Sequence, residues 1–114
     1  MAEPTKLLVI WSTADREVTL HNVFMYTHNA AKRHWWDQVR LLIWGPSGTL
    51  LAQDEELQQK FAAMVTDGVE VIACKACSDR LGVTEALQAL GINVFYVGTT
   101  LTEMLKSGWV TLTY

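Results

Sequence analysis

The chain has 114 residues and a formal net charge of −3, with twelve acidic side chains against nine basic ones, so it lacks the cationic surface that would grip phosphate, and nucleic acid is not an expected partner. Half of the residues are hydrophobic and 18% are charged, enough apolar content at this length for one domain, residues 1–114, that needs no metal or disulfide to hold its core. No apolar run approaches the roughly eighteen residues of a membrane span, and Met-Ala-Glu-Pro-Thr-Lys passes straight into the short apolar run Leu7 to Trp11 where a signal peptide needs a basic start and a longer apolar stretch, so the expected setting is cytoplasmic, off the membrane and reducing toward thiols.

In chain order, Lys6 to Ser12 is an aliphatic run that reads as a strand, and Asp15 to about Lys32 as the helix behind it. Gln38 to Trp44 is a second strand, which turns out sharply through Trp44-Gly45-Pro46-Ser47-Gly48, with Ser47 expected to cap a short following helix. Asp54 to Thr66 reads as a helix with acid in its first turn, Val69 to Cys74 as the third strand, and about Ser78 to Leu90 as the next helix. Asn93 to Val97, a helix over Thr100 to Lys106 and a last strand, Trp109 to Tyr114, complete the series. Gly68, Gly91 and Gly108 each stand just past a helix end. Four of the strands are almost continuously hydrophobic, the pattern of parallel strands covered on both faces, whereas the last alternates and suits an edge. The expected fold is a three-layer α/β/α arrangement around a mainly parallel five-stranded sheet, flavodoxin-like in outline.

Open α/β sheets bind ligands beyond the carboxyl ends of their strands. Reading off those ends gives Trp11 and Ser12 after the first strand, Trp44, Gly45, Pro46 and Ser47 after the second, Cys74, Lys75 and Cys77 after the third, and Gly98 and Thr99 after the fourth. These residues form the expected pocket, with both cysteines on its rim. A cysteine where a strand passes into a helix faces unpaired N–H groups and the positive end of the helix dipole, and Lys75 and Arg80 add positive charge nearby; all of these favour thiolate.

Other readings of Cys74-Lys-Ala-Cys77 compete. Two cysteines at a strand end can simply be small buried hydrophobes. Structural zinc needs about four ligands, yet there is no second Cys-x-x-Cys, and His21, His28 and His34 all lie on or near the first helix, so no metal is expected. A thioredoxin-like dithiol would place a proline opposite the pair, and neither Pro4 nor Pro46 is well located for that. A flavin or nucleotide would call for a glycine-rich loop, whereas Ser12-Thr13-Ala14-Asp15-Arg16 contains no glycine, so no cofactor is expected. A small-ligand or assembly module in which the cysteines are incidental also stays open. Five tryptophans, Trp35 and Trp36 adjacent among them, exceed what an isolated core of this size uses and point to a subunit interface.

Three segments, Leu7-Leu-Val-Ile-Trp11, Ile43-Trp-Gly-Pro-Ser47 and Ala73-Cys-Lys-Ala-Cys-Ser-Asp-Arg-Leu-Gly-Val83, resemble the DsrE/DsrF-like family of small sulfur-relay proteins. The last is the most specific: family members often carry a cysteine after the third strand, then glycine and an aliphatic residue eight positions on, here Cys74, Gly82 and Val83. Many members have arginine immediately before that glycine, whereas here Leu81 stands there and Arg80 comes one place earlier. The resemblance implies a three-layer α/β/α domain that assembles into dimers, trimers or hexamers. It also implies that Cys74 accepts sulfur as a persulfide from a donor protein and passes it to an acceptor, with Cys77 as a helper or resolving thiol.

Overall fold

A computed structural model describes residues 5–114; Met1 to Pro4, part of the stretch read above for a leader, lie outside the described residues. The strands are β1 (Lys6–Trp11), β2 (Gln38–Ile43), β3 (Glu70–Cys74), β4 (Asn93–Phe95) and β5 (Val110–Thr113), in the spatial order β4-β3-β2-β1-β5 with every pair parallel. The chain steps three times in one direction, from β1 to β4, then crosses the whole sheet to lay β5 on the far side of β1. Right-handed crossovers put helices from same-direction steps on one face and the helix of the return step on the other.

The core divides accordingly. One cluster joins Leu7, Val9, Trp11, Leu41, Ile43 and Ala73 to Val23, Phe24, Leu51, Leu57, Phe61, Met64, Val83 and Leu87, all from helices of the first three crossovers or the turns beside them. The second joins Leu8, Ile10, Leu42, Ile72 and Cys74 to Val97 and Met104, with α7 (Gly98–Lys106) lying over that face. Alternate residues of a strand point to opposite faces, which sorts Leu7, Val9 and Trp11 into the thick layer and Leu8 and Ile10 under α7. The fold is the expected three-layer α/β/α sheet, with unequal layers.

The helices differ from expectation in three places. The first helical stretch begins with α1 (Arg16–Val18), capped where the Asp15 carboxylate accepts the Val18 N–H at 3.0 Å, and ends with α2 (Met25–Lys32). Between them Thr19–Phe24 is wound as a π-helix, a form that sequence periodicity does not announce. After β2, Ser47 does not cap α3 (Ser47–Gln53): it is fully buried, and its hydroxyl donates to the Trp11 carbonyl at 2.5 Å, tying the β2 turn to the end of β1. Asp54 caps α4 (Glu55–Thr66) by accepting the Leu57 N–H at 3.0 Å. The helix expected over 78–90 starts earlier and breaks in two, as α5 (Lys75–Leu81) and α6 (Thr84–Ala89). Gly82, at φ +71°, ends α5 in the left-handed region, with its N–H donating to the Asp79 carbonyl and the Val83 N–H to the Ser78 carbonyl, the double bond of a Schellman turn.

Candidate functional site

β3 delivers its last residue, Cys74, to the carboxyl edge of the sheet, and α5 starts at the next residue. Cys74 is therefore the residue that precedes the first helical turn, in extended conformation at φ −77° and ψ 116°, and no side chain caps the N–H groups of that turn. Its side chain shares the face of Ile72 and packs in the cluster under α7, 8% exposed. Cys77, one helical turn on, is half-buried in the same cluster. Both thiols are reduced, and Cys77 faces both the Cys74 sulfur and the Gly45 N–H.

Electrostatics distinguish the two. Burial pushes the Cys77 thiol up from its ordinary value, and its hydrogen bond to Cys74 pushes it further; the Gly45 N–H and the charge of Arg80 oppose this without overcoming it. Burial thus favours Cys77 as a thiol, not as the activated thiolate that its place in the first helical turn suggests. Lys75 does not reach the pair. Its ammonium bonds Asp79 at 2.7 Å, one turn along α5, and sits 5.4 Å from the centre of the Tyr96 ring. Asp79, held below the usual carboxylate range by Lys75 and by Thr84, also accepts from the Thr84 hydroxyl at 2.5 Å, and Thr84 meets the buried Ser78 hydroxyl at 2.6 Å. This network ties α5 to α6 behind the cysteines.

The expected rim residues separate by face. Trp11 is fully buried in the thick layer, its indole N–H donating to Thr19 Oγ1 at 3.0 Å, and Ser47 is buried beneath it, so neither side chain lines a surface that also carries Cys74. Ser12 and Gly45 lie close together, a Cβ placed on Gly45 falling 4.0 Å from that of Ser12, and Ser12 bonds the Tyr114 carbonyl through both N–H and hydroxyl. Tyr114 also accepts the Thr13 N–H, so it fills the switch point between β1 and β5 where such sheets open a crevice. Trp44 and Pro46 are exposed at the turn, and Gly98 and Thr99 are exposed in the first turn of α7. Of these, Gly45 turns its backbone N–H toward Cys77.

The strand-end reading passed over Tyr96. Extending the fourth strand to Val97 places Gly98 first on the rim; the strand stops at Phe95, and Tyr96 then stands at its end, 67% exposed, with its ring under Lys75. A depression of about 230 Å³ lined by Asp79, Gly82, Thr84 and Glu85 lies beside α5. Two larger grooves, of about 570 and 590 Å³, lie elsewhere, the first between the π-helical segment and α4, the second beside β5. No cluster of three or more His, Cys, Asp or Glu among the described residues is arranged to hold a metal ion, and no described helix is long and apolar enough to cross a membrane.

The sequence profile of the DsrE/DsrF-like family matches residues 28–114. Among solved structures, a conserved protein of unknown function from Bacteroides thetaiotaomicron, BT1422, is 34% identical and superposes with a TM-score of 0.92, covering 96% of this chain and 94% of its own. YchN from E. coli is 18% identical at a TM-score of 0.74, covering 96% of this chain and 99% of its own. MTH1491 from Methanobacterium thermoautotrophicum, also of unknown function, is 16% identical at 0.77, covering 98% and 100%. These two share the fold. No curated protein matches the chain.

Proposed function

The chain belongs to the DsrE/DsrF-like family, whose membership suggests a sulfur-relay role, and we propose that it fills this role by carrying sulfur as a persulfide on Cys74. The observation that supports this reading is the position of Cys74: the last residue of a buried parallel strand, at the uncapped start of α5, with Cys77 one helical turn on in the same cluster. A strand end that opens a helix presents free N–H groups and the positive helix end beside the residue placed there.

Loading proceeds by attack of the Cys74 thiolate on the outer sulfur of a donor persulfide, R–S–SH. The new bond joins Cys74 Sγ to that sulfur, the donor's S–S bond breaks, and the donor leaves as R–S⁻. The outer sulfur keeps its hydrogen, and no oxidant or reductant is consumed. Unloading repeats the step with an acceptor thiolate and returns Cys74 as the leaving group.

Because Cys77 faces Cys74, a second branch follows. Cys77, once deprotonated, attacks Cys74 Sγ and expels the outer sulfur as HS⁻, leaving a Cys74–Cys77 disulfide that an external thiol must reduce. Burial favours the protonated form of Cys77, which is not the nucleophile of this branch.

Incubating the reduced protein with a small-molecule persulfide donor and weighing it intact is expected to show one added sulfur, about 32 Da. Cys74→Ser should abolish the gain, and Cys77→Ser should retain and prolong it. An equal gain on Cys74→Ser, or none on the wild type, would refute the assignment.

A further inference from the structure

We infer that Cys74 and Cys77 together form a two-coordinate site for a soft, thiophilic metal ion, and that copper(I) is the ion this donor set fits. The site uses the cysteines of the proposed carrier but is independent of persulfide chemistry, which needs Cys74 alone. Cys74 closes β3 and Cys77 lies three residues on, in the first turn of α5, so both side chains fall on one face of the helix start. Both are free thiols packed in the cluster under α7, and Cys77 faces the Cys74 sulfur. A Cys-x-x-Cys spacing of this kind is the one with which protein thiolates share a single metal ion.

The donor set selects the metal. Thiolates are soft ligands that favour copper(I), whereas carboxylates and carbonyls suit magnesium, calcium and manganese. Structural zinc calls for four ligands, and among the described residues no third His, Cys, Asp or Glu joins the pair. Asp79, the acid of α5, is taken by Lys75 and Thr84. Met104, the thioether of the same cluster, accepts from the Arg40 guanidinium at 3.2 Å. His21 and His28 bond Glu17 and Asp67, away from the cysteine cluster. Two sulfurs remain, and copper(I) accepts linear coordination by two.

Binding exchanges protons for metal. Two S–H bonds break, two Cu–S bonds form, two protons leave to solvent and no electron is transferred. The product carries one net negative charge. The Gly45 N–H and the charge of Arg80, both acting on Cys77, offset that charge. Phe95 and Leu101 pack against the same cluster and give the ion an apolar surround. The hydrophobic clusters on both faces of the sheet close without any metal, so the ion is a reversible passenger rather than a staple.

The test is an anaerobic titration of the reduced protein with copper(I) against the chromophoric chelator bicinchoninate. The wild type is expected to retain one copper per chain, and X-ray absorption at the copper edge should show two sulfur neighbours and no nitrogen or oxygen. That spectrum is taken on the wild type, so it stands however a variant folds. Cys74→Ser and Cys77→Ser should each lose the ion to the chelator with an unchanged far-ultraviolet dichroism spectrum. The persulfide reading fails differently, because Cys77→Ser should lose copper and still gain sulfur. No copper on the wild type, undiminished retention by Cys77→Ser, one copper shared by two chains, or nitrogen or oxygen bound to the metal would overturn the inference.

Discussion

A single buried hydrogen bond fixes Trp11, and its loss should be measurable. The indole N–H donates to Thr19 Oγ1 at 3.0 Å, the Thr19 hydroxyl donates to the Asp15 carbonyl at 2.8 Å, and both side chains are fully buried. Thr19→Val keeps the shape and strands the indole N–H, so it should cost about 1–3 kcal/mol in urea unfolding, whereas Thr19→Ser should recover most of that. Cys77 gives a second expectation, in pH. Its folded value lies above the ordinary thiol value of 9.0, because of burial first and Cys74 second. Below that ordinary value the thiol is protonated in both states and its contribution is complete. As pH rises past it, the unfolded chain releases the proton first, and stability is lost as pH climbs through the folded value. Urea midpoints taken between roughly pH 8 and pH 10 should fall more steeply for the wild type than for Cys77→Ser. Parallel slopes would contradict the burial of this thiol.

At the scale of elements, α5 and its ends decide what the cysteines can do. Gly82 stops the helix seven residues after it starts, and a Cβ there would meet nothing within 4 Å, so the requirement for glycine is one of backbone conformation alone. Gly82→Ala should therefore cost about 1 kcal/mol, the strain of a left-handed residue, with Gly82→Asn costing less. The glycine eight positions after Cys74 was visible in the sequence as a motif, but its meaning was not: the same residue reads as a spacing marker until the helix is seen to end on it. Helix starts were more legible, because Asp15 and Asp54 carry the chemistry of a cap. The π-helical turn at Thr19–Phe24, which packs against α4, left no trace in the residue pattern.

For the whole molecule, the strands and their parallel arrangement were legible from continuous aliphatic runs, and so was the presence of both cysteines at the carboxyl edge. What the runs could not carry was the face. A strand buried on both sides shows no alternation, so Trp11 and Ser12 look equivalent at the rim although one points into the thick layer and the other toward Gly45. The register of β4, shorter than its apolar run, likewise hid Tyr96. The layers are unequal, and Cys74 packs on the thin side, under α7, in the cluster that also holds Cys77.

Lys75 stands between the two cysteines and Arg80 follows them, so trypsin separates Cys74, in the peptide ending at Lys75, from Cys77, in Ala76 to Arg80. The most direct test of Cys74 as the carrier is to load the wild type briefly with a persulfide donor at neutral pH, block all sulfhydryls by alkylation, and map the two peptides. The extra sulfur, about 32 Da, is expected on the peptide that ends at Lys75. The same mass on Ala76 to Arg80, with the Cys74 peptide unmodified, would contradict it.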